Sequence, residues 1–513
     1  MHFREGHMLT RVKTATLSGL SGAVVNVETD IRRGMPKFVV VGLAGTTIRE
    51  SYDRIRPAIT NSGFEFPNER VTINLMPASK PKEGSHFDLP IAIGIIIGMR
   101  KIHEIENIAF LGELSLDGRI NRVKGALPLA MALRDEGISN IIVPIGNAEE
   151  VAILKDINVY PAGSLKEVID HLENIKYINV YNSKKKNKNQ KWEVDFSQIL
   201  GQEMAKRAIM IGAAGNHGIL LMGSAGCGKT MAAKRIPTIL PELTYEEKVE
   251  ITGIYSIAGL LTEDNPIVQN RPFRNPHNTI SVTGMLGGGR KPEPGELSLA
   301  HNGVLFLDEF GEFSPAVIDA MRQPVEEGKI RITRNFEEMI FPSQVLVVAA
   351  ANPCKCGNLW DEKKQCTCSP RQLESYMRKL TGPFSDRIDM HIKMTAVEKK
   401  MLDNYYCHTQ NTNSEEMRAK VIEARRIQSK RYRGTQYRTN GMLDEAGIEK
   451  FCFLNDECRN LLNDAYEKFG LSLRAYNKVV KVSRTLADLD AKEHIEMSHV
   501  AEALLYRINE ERN

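Results

Sequence analysis

Hydrophobic positions in the first third of the chain form short strand-like runs, separated by polar turns and a few helical stretches. Runs at Ala23–Glu28, Lys37–Gly42 and Val71–Leu75 predict strands. Asp88–Met99 is apolar on nearly every side and predicts a buried helix. Asp117-Gly118 separates two short apolar runs, which is typical of a hairpin turn. The pattern predicts an α+β domain with no glycine-rich nucleotide loop.

Beyond residue 192 the pattern changes to apolar strands that alternate with amphipathic helices. The predicted elements are helix Gln202–Ala214, strand Gly218–Met222, helix Lys229–Leu240, strand Gly303–Leu307 and strand Gln344–Ala350. Such alternation predicts a parallel sheet with helices, whose active site lies at the carboxyl edge of the strands. From about residue 396 the sequence is charged, helical and poor in strands, which predicts a separate helical lid domain.

These shifts divide the chain into four predicted segments. They are an α+β domain at 1–182, a basic linker at 183–192, an α/β nucleotide-binding core at 193–395 and a helical lid at 396–513. Residues 183–191 contain no apolar side chain and are rich in lysine, so a solvated spacer is the simplest interpretation. A sequence-independent contact with a phosphate backbone is the alternative.

Composition narrows the class of protein only a little. Of 513 residues, 42% are hydrophobic and 26% are charged, and the formal net charge is +4. These values are ordinary for a globular protein. The net charge is too small to indicate a protein that binds nucleic acids. The longest apolar run, Leu89–Met99, contains proline and glycine and is too short to span a bilayer. No secretory leader is visible, so we expect a cytoplasmic protein without a membrane partner.

The clearest chemical motif is Gly223-Ser224-Ala225-Gly226-Cys227-Gly228-Lys229-Thr230, which follows an apolar strand and opens a helix. This is the pattern of a phosphate-binding loop in the context that it requires. Backbone N–H groups of such a loop surround the phosphates, while Lys229 reaches the β- and γ-phosphates. The hydroxyl of Thr230 is expected to ligate Mg²⁺. The motif predicts that ATP and Mg²⁺ bind here.

A second acidic motif completes the expected site. The strand Gly303–Leu307 ends at Asp308 and Glu309. Asp308 is expected to hold Mg²⁺ through its water shell, and Glu309 to orient and deprotonate the attacking water. An apolar strand that ends in two acids is a weak signal alone, but it is a strong one after a complete phosphate-binding loop.

These motifs together resemble the AAA+ superfamily of ATPases. The resemblance implies that Asn352, at the end of the next strand, orients the lytic water. Arg387, in Gly382-Pro-Phe-Ser-Asp-Arg387, matches the arginine finger that reaches a neighbouring subunit. Arg474, in Leu471-Ser-Leu-Arg474, matches the lid arginine that senses the nucleotide of its own subunit. A surface salt bridge is the alternative role for both arginines.

Further segments resemble a narrower group, the magnesium-chelatase-like AAA+ proteins of the ComM/YifB family. They are Arg274–Ser281, Gly287–Arg290, Pro294–His301, Arg322–Glu326 and Ala503–Arg507. The resemblance covers nearly the whole chain and implies a homo-oligomer, in this family a hexameric ring. It also implies a DNA motor that drives branch migration during natural transformation. A protein-remodelling ATPase and a chelatase-type motor remain the alternatives.

In a ring of this kind, basic residues that line the pore are expected to contact DNA. The candidates are Arg290, Lys291, Lys329, Arg331 and Arg334. The first two lie in a predicted inserted loop, and the others lie in a predicted hairpin. Contacts with phosphates are independent of sequence and depend on salt, which suits a translocating motor. A solvated charged face is the alternative interpretation.

The first domain resembles the proteolytic domain of Lon proteases. The likeness rests on Leu111–Ile120, on Lys124-Gly-Ala-Leu127 and on Ile138–Pro144. Catalysis in that family needs a serine activated by a lysine. Here the matching positions hold His86 and Leu127, so the resemblance implies a non-catalytic domain. Ser85 and Lys124 lie close enough in sequence to leave a shifted dyad as an alternative.

Four of the eight cysteines, Cys354, Cys356, Cys366 and Cys368, lie within fifteen residues. In a reducing compartment this clustering indicates metal ligation before disulfides, and four thiolates suit a structural Zn²⁺ ion. The C-x-C spacing is tighter than that of common zinc knuckles, so unliganded thiols and a redox role stay open. The remaining cysteines, Cys227, Cys407, Cys452 and Cys458, are interpreted as packing residues.

Overall fold

The structure is a computed structural model of the chain. It describes residues 7–100, 102, 107–183, 192–289, 292–334, 337–360, 364–380, 382–395 and 412–507. No helix among these residues is long and apolar enough to cross a membrane.

The chain divides into two compact units. The first unit comprises Met1–Lys188 together with two later segments, Thr244–Gln269 and Arg331–Phe341. The second comprises Asn189–Leu243, Asn270–Ile330 and Pro342–Asn513, so it joins the predicted core to the predicted lid. The four-segment division of the sequence stays a prediction, and it did not anticipate that core segments join the first unit.

Strands are numbered in chain order. They are β1 (His7–Ser18), β2 (Ser21–Arg32), β3 (Lys37–Val41), β4 (Arg70–Met76), β5 (Ile108–Phe110), β6 (Glu113–Leu114), β7 (Ile120–Asn121), β8 (Asn140–Pro144), β9 (Asn158–Ala162), β10 (Ile219–Gly223), β11 (Phe273–Arg274), β12 (Gly287–Gly288), β13 (Glu293–Pro294), β14 (Val304–Leu307), β15 (Lys329–Arg334), β16 (Glu337–Pro342), β17 (Leu346–Ala351) and β18 (Met390–Met394).

Helices are numbered in the same way. They are α1 (Thr46–Arg49), α2 (Ser51–Asn61), α3 (Asp88–Arg100), α4 (Ala126–Asp135), α5 (Ala148–Val151), α6 (Leu165–Leu172), α7 (Glu203–Gly215), α8 (Lys229–Ala233), α9 (Ile236–Ile239), α10 (Tyr245–Ile257), α11 (Val282–Leu286), α12 (Glu296–Leu299), α13 (Pro315–Glu327), α14 (Pro370–Leu380), α15 (Ser414–Arg431), α16 (Glu445–Phe451), α17 (Asp456–Phe469), α18 (Leu473–Leu489) and α19 (Met497–Leu505).

The first unit is built on a mixed seven-stranded sheet with the order β3-β4-β2-β1-β5-β8-β9. Helix α3 lies against β1 and β2, and Asp88 to Gly98 are all buried. The helix can be apolar on all sides because every side is covered by protein. The sequence also predicted the small β6–β7 hairpin around Asp117-Gly118, in which Leu114 pairs with Ile120.

Helix α10 belongs to the first unit although its sequence lies inside the predicted core. The hydroxyl of Ser256 donates to the carboxylate of Glu150, and its carbonyl accepts from Gly125 N at 3.1 Å. Glu150 is buried, and it also accepts from Leu127 N at 3.1 Å and Asn147 Nδ2 at 3.0 Å. A buried carboxylate with this many donors costs little to desolvate, so it can join the inserted helix to α4 and α5.

The positions that would hold a Lon-type dyad are occupied by packed side chains. His86 is buried, with Nε2 at 2.9 Å from Ala15 O, and Leu127 is fully buried in α4. Ser85 is half-buried, while Lys124 is exposed and lies against Gly259 of the inserted segment. Neither expected position therefore carries the serine or the lysine that a Lon-type dyad needs.

We expect His86 to make the first unit sensitive to acid. Burial lowers the pKa of His86 to about 4 from an unfolded value near 6.5. Its contribution to stability is present above pH 6.5 and is lost as the pH falls towards and through 4, because the unfolded state then binds the extra proton. Between pH 7.5 and 5.0 the loss is about 2 kcal/mol. In H86Q the amide keeps a donor but does not titrate, so this part of the pH dependence should disappear.

Urea unfolding of the full-length protein at several pH values measures this effect. The matched control is H494Q, which removes an exposed imidazole. An unfolding free energy for H86Q that falls with pH as steeply as that of the wild type would contradict the assignment.

The core of the second unit is a parallel five-stranded sheet with the order β11-β14-β17-β10-β18. Every residue of β14 and β17 is buried, which explains why both read as unbroken apolar runs. The predicted helix Lys229–Leu240 is instead two short helices, α8 and α9. It breaks at Arg235, just before Pro237, which has no N–H to continue the helical hydrogen bonds.

The described residues after 412 form only helices and turns, α15 to α19. Their core is continuous with that of the sheet: Val421, Val479 and Leu486 belong to the same cluster as Ile219 and Val348. A buried carboxylate, Asp488, accepts hydrogen bonds from Arg431, Arg484 and Asn440 and so joins the helices to one another.

Candidate active site

The predicted phosphate-binding loop lies at the carboxyl edge of the parallel sheet, between β10 and α8. Gly226 and Gly228 have φ of +82° and +94°, a left-handed conformation that glycine adopts without strain. Cys227 is buried beneath the loop, in agreement with a packing role. The backbone N–H groups at the start of α8 are thereby left facing the space above the sheet edge.

Lys229 brings together the loop and the end of β17. Its Nζ donates to Gly223 O at 2.6 Å, to Ser224 O at 2.9 Å and to Asn352 Oδ1 at 3.1 Å. The sequence predicted Lys229 and Asn352 as parts of one site, and the structure places them in direct contact. An ammonium held by neutral oxygens keeps its full charge available for an incoming phosphate.

The hydroxyl of Thr230 donates to Asp308 Oδ2 at 2.9 Å, so the two predicted Mg²⁺ ligands face each other. The other Asp308 oxygen accepts from Glu309 N at 3.0 Å. Glu309 is exposed and adopts a left-handed backbone conformation, with φ of +50°. A hydroxyl and a carboxylate at hydrogen-bond distance are the hard oxygen ligands that Mg²⁺ prefers, so these residues fit the ion.

Sequence reasoning assigned no role to Asn278. Its Nδ2 donates to Glu309 Oε2 at 3.0 Å and so holds the carboxylate that is expected to act on water. Asn278 lies in the segment Arg274–Ser281, which carried the family resemblance, but 31 residues separate it from Glu309. Only the fold brings the two side chains together.

The two candidate arginines lie at the opposite, amino edge of the sheet. Arg387 Nε is 3.1 Å from Glu326 Oε2, and Arg474 is 3.3 Å from Glu326 Oε1 and 3.4 Å from Asp386 Oδ2. Arg387 ends the short 3₁₀ helix before β18 begins. Strands of five or six residues separate the two edges by roughly 15–20 Å. Arg474 therefore lies away from its own phosphate-binding loop in this structure, and its role as a nucleotide sensor stays a prediction.

Arg474 is held at this edge by the helix that carries it. Lys478, one turn later in α18, lies 3.1 Å from Asp389 Oδ1, and His217 Nδ1 lies 3.1 Å from Asp389 Oδ2. Burial alone raises the pKa of Asp389, but Lys478 and His217 hold that pKa well below its usual value. The ionised carboxylate fixes α18 against the sheet. A cavity of about 530 Å³ lies beside it, bordered by Arg387, Arg474 and Lys481.

The four clustered cysteines converge in space. Cys354 Sγ lies 3.4 Å from Cys356 Sγ and 3.8 Å from Cys366 Sγ, and the latter two are 3.6 Å apart. With Cys368 included, all four sulfur atoms lie within 4.8 Å of one another. Backbone N–H groups of Asn358 and Thr367 lower the pKa of the Cys356 thiol, while the neighbouring thiols raise the pKa values of Cys366 and Cys368. The four thiols therefore share their protons, and the backbone donors favour the thiolate that binds metals at Cys356. The cluster can hold a metal ion.

Among the other cysteines, Cys452 and Cys458 are buried between lid helices, in agreement with a packing role. Cys407 lies outside the described residues.

Comparison with known families identifies the chain. Residues 195–402 match the family model for the magnesium chelatase subunit ChlI, residues 27–147 match a second ChlI model, and residues 411–507 match the ChlI C-terminal model. The competence protein ComM of Haemophilus influenzae is 38% identical over 496 residues, with 95% of each chain covered. The protein YifB of Escherichia coli K12 is 38% identical over 501 residues, with 97% of each chain covered.

The chain belongs to the magnesium-chelatase-like ComM/YifB family of AAA+ proteins. The 38 kDa subunit of the magnesium chelatase of Rhodobacter capsulatus is more distant, with 24% identity over 176 residues, 31% of this chain and 50% of that protein. Family membership and the parallel sheet both indicate an α/β core with a phosphate-binding loop. Membership in this group supports an ATPase.

The predicted DNA-contact residues of this family member fall into two groups. Arg290 and Lys291 lie outside the described residues. Lys329, Arg331 and Arg334 lie on β15, which pairs with β16 in the predicted hairpin. Arg331 is 45% exposed and lies 3.0 Å from Glu338 on the opposite strand. This cation therefore has an acidic partner with which a phosphate would compete.

Proposed function

We propose that the chain is an ATP-hydrolysing motor. The observation that carries this proposal is the joint arrangement of Thr230 with Asp308 and of Lys229 with Asn352 at one sheet edge. Lys229 binds the β- and γ-phosphates, while Thr230 and Asp308 hold Mg²⁺, which supplies charge neutralisation at the phosphates. We propose hydrolysis of ATP and not only its binding, because the carboxylate of Glu309 directly follows the metal ligand Asp308.

Glu309 orients the attacking water and accepts its proton, and Asn352 fixes the other side of that water. Asn278 holds the Glu309 carboxylate in one position until ATP arrives. Both effects place preorganised groups where charge develops, and this is commonly the largest contribution to catalysis.

The active site is shared between subunits of a ring, which we propose to be a hexamer. Arg387 and Arg474 bind one carboxylate, Glu326, at the edge away from their own phosphate-binding loop. In a head-to-tail ring, one surface of each subunit meets a different surface of the next. Both arginines therefore act on the γ-phosphate bound by the neighbouring subunit, and Arg474 takes this role in place of the one expected within its own chain.

The work done by the ring is proposed to be movement along DNA, as in the branch migration of recombining strands. The name of the Haemophilus influenzae relative, a competence protein, favours this role. The basic hairpin that carries Lys329, Arg331 and Arg334 supports it, and Arg290 and Lys291 are proposed to add contacts. Phosphate contacts alone give sequence-independent binding.

The DNA role predicts a stimulated ATPase. Forked or single-stranded DNA should raise ATP turnover several-fold at low salt, because bound phosphates displace Glu338 from Arg331. In the double variant R331A/R334A the stimulation should disappear while unstimulated turnover stays. R426A, which removes an exposed arginine paired with Glu423, is the matched control and should be stimulated like the wild type. Turnover is measured by phosphate release.

Stimulation by an unfolded protein and not by DNA would contradict the DNA role and favour the protein-remodelling alternative. The partial similarity to the Rhodobacter capsulatus subunit favours a chelatase-type motor as a further candidate. That candidate predicts stimulation by a metal-insertion partner and none by DNA.

The remaining parts are proposed to support the motor. The first unit is a Lon-like but non-catalytic scaffold, since His86 and Leu127 fill the dyad positions. The lid is α15 to α19, the linker is 183–192 and the location is cytoplasmic. The four thiols bind Zn²⁺: sulfur atoms on a tetrahedral zinc ion, with Zn–S near 2.3 Å, lie about 3.8 Å apart. Distances of 3.4 to 3.8 Å among three of the sulfurs fit this arrangement.

A further inference from the structure

The thiol cluster lies between two elements that reach the nucleotide site. Cys354 follows Asn352 by two residues and is buried three residues after the end of β17. Cys368 directly precedes Ser369, whose hydroxyl accepts from Gln372 N at 3.4 Å in the first turn of α14. Ser369 N in turn donates to Gln372 Oε1 at 2.9 Å, so the helix begins with reciprocal capping. Whatever joins the four sulfurs also joins the end of β17 to the start of α14.

Helix α14 contacts the two catalytic elements through Tyr376. The backbone of Asn352 lies close to the Tyr376 hydroxyl, and the two interact electrostatically. The Tyr376 ring lies directly on Gly311, where an added Cβ would come within 2.5 Å of the hydroxyl oxygen. Gly311 is in the 3₁₀ helix Phe310–Glu312 that follows Glu309. One buried side chain therefore touches both the backbone of Asn352 and the segment that positions Glu309.

Lys379 adds a second contact between the same elements. Its Nζ donates to Gly311 O at 2.9 Å from the next turn of α14. Tyr376 and Leu380 are the buried residues of the helix, and most of its other side chains are exposed. A helix of eleven residues with so small a buried face is weakly held by its own packing. Its position depends on how its first residue is anchored.

We propose that the four cysteines bind a metal ion, and we call the bound cluster the clasp. The clasp positions Asn352 and Glu309 of the nucleotide site through Tyr376 and Lys379 of α14. This inference rests on the proposed roles of Asn352 and Glu309 in ATP hydrolysis. The ligand is a divalent ion with an affinity for thiolates and a tetrahedral preference, of which Zn²⁺ is the typical case. With four thiolates the ion has no open position, so it takes no part in the reaction. Tyr376 and Lys379 are positioning residues.

The clasp predicts a defined metal content. The purified full-length protein should contain one zinc per chain, measured by elemental analysis and by release with a thiol-blocking mercurial. The double variant C356S/C366S should contain none. A wild-type protein that contains no zinc, and takes up none when the ion is added under reducing conditions, would overturn the proposal.

Hydrogen exchange tests the coupling without any measurement of activity. Removal of the metal should speed amide exchange in α14 and in 308–313, while exchange in the lid helix α17 stays unchanged because its packing is against α19. Faster exchange confined to 354–368 would show that the cluster only orders its own loop, and it would overturn the positioning role. Retained protection of α17 also shows that the variant is folded.

Kinetics separates the positioning role from a general structural one. A small displacement of catalytic groups can lower a rate by up to about 100-fold. In Y376F, which keeps the ring on Gly311 and removes the hydroxyl, zinc content should stay at one per chain. Turnover at saturating ATP should fall about tenfold while the ATP affinity changes by less than about threefold. Y466F, which removes the hydroxyl of an exposed lid tyrosine, is the matched control.

Wild-type kinetics for Y376F would overturn the inference even if zinc is present. The proposed function fails separately, if the wild type does not hydrolyse ATP or if Glu309→Gln leaves hydrolysis intact. In that case, hydrogen exchange and zinc content still decide whether the clasp exists.

Discussion

Glu309→Gln is expected to lower ATP turnover by at least about 100-fold while ATP binding is retained, because general-base assistance is commonly worth 10²- to 10⁴-fold. The amide keeps the size and the contact with Asn278 Nδ2 through its oxygen, but it cannot take a proton. Lys229, Thr230 and Asp308 are untouched, so the phosphates and the metal should bind as before. Phosphate release and binding of a fluorescent ATP analogue measure the two quantities.

Glu467→Gln is the matched control for this variant. Glu467 is an exposed acid in the lid helix α17, and its replacement should leave turnover within about twofold. If the Glu309 variant hydrolyses ATP at the wild-type rate, Glu309 is not the base and the proposed mechanism is wrong. If it loses ATP binding as well, the carboxylate is needed for the bound state and the assignment of its role changes.

Arg387→Ala is expected to lower turnover about 100-fold or more, because it removes a cation from the developing charge on the phosphate. The decisive measurement mixes this inactive variant with the inactive Glu309→Gln variant. If Arg387 acts on the neighbouring subunit, some interfaces of a mixed ring combine an intact Glu309 with an intact Arg387. Random mixing restores about a quarter of the interfaces of a head-to-tail ring. Activity should therefore reappear on mixing.

The same mixing experiment with Arg474→Ala tests the reassignment of that residue. Restored activity supports an action on the neighbouring subunit, as the shared partner Glu326 suggests. If activity is not restored although each variant still assembles into rings, Arg474 acts within its own chain after a movement of the lid. R459A, an exposed lid arginine, is the control and should be active alone.

Those parts of the site that consist of residues close together in the sequence could be predicted from the sequence. The phosphate-binding loop needs glycines at positive φ followed by a helix start, and both requirements are met within eight residues. The order of apolar strands placed Asp308 and Asn352 at one edge, because parallel strands present their carboxyl ends together. The clustering of four cysteines within fifteen residues indicated a metal site, and the four sulfur atoms do converge in space.

The local sequence does not determine positions that depend on packing between distant segments. Asn278 and Glu309 are brought together by the fold of the core, and nothing in the local sequence of either marks the pairing. Arg474 was assigned from a motif, but the motif does not specify the edge of the sheet at which the residue lies. That choice is made by the buried contact of Lys478 with Asp389.

The sequence by itself determined the loop, the acidic pair, the sheet edge and the family, because backbone conformation and strand direction follow from local residues and their order. The tertiary structure decided the place of Arg474, the partner of Glu309 and the inclusion of α10 in the first unit through Glu150. It also decided that Tyr376 lies between the cysteine cluster and the catalytic strand ends. These features depend on which surfaces bury one another, and that is set by the packing of the whole chain.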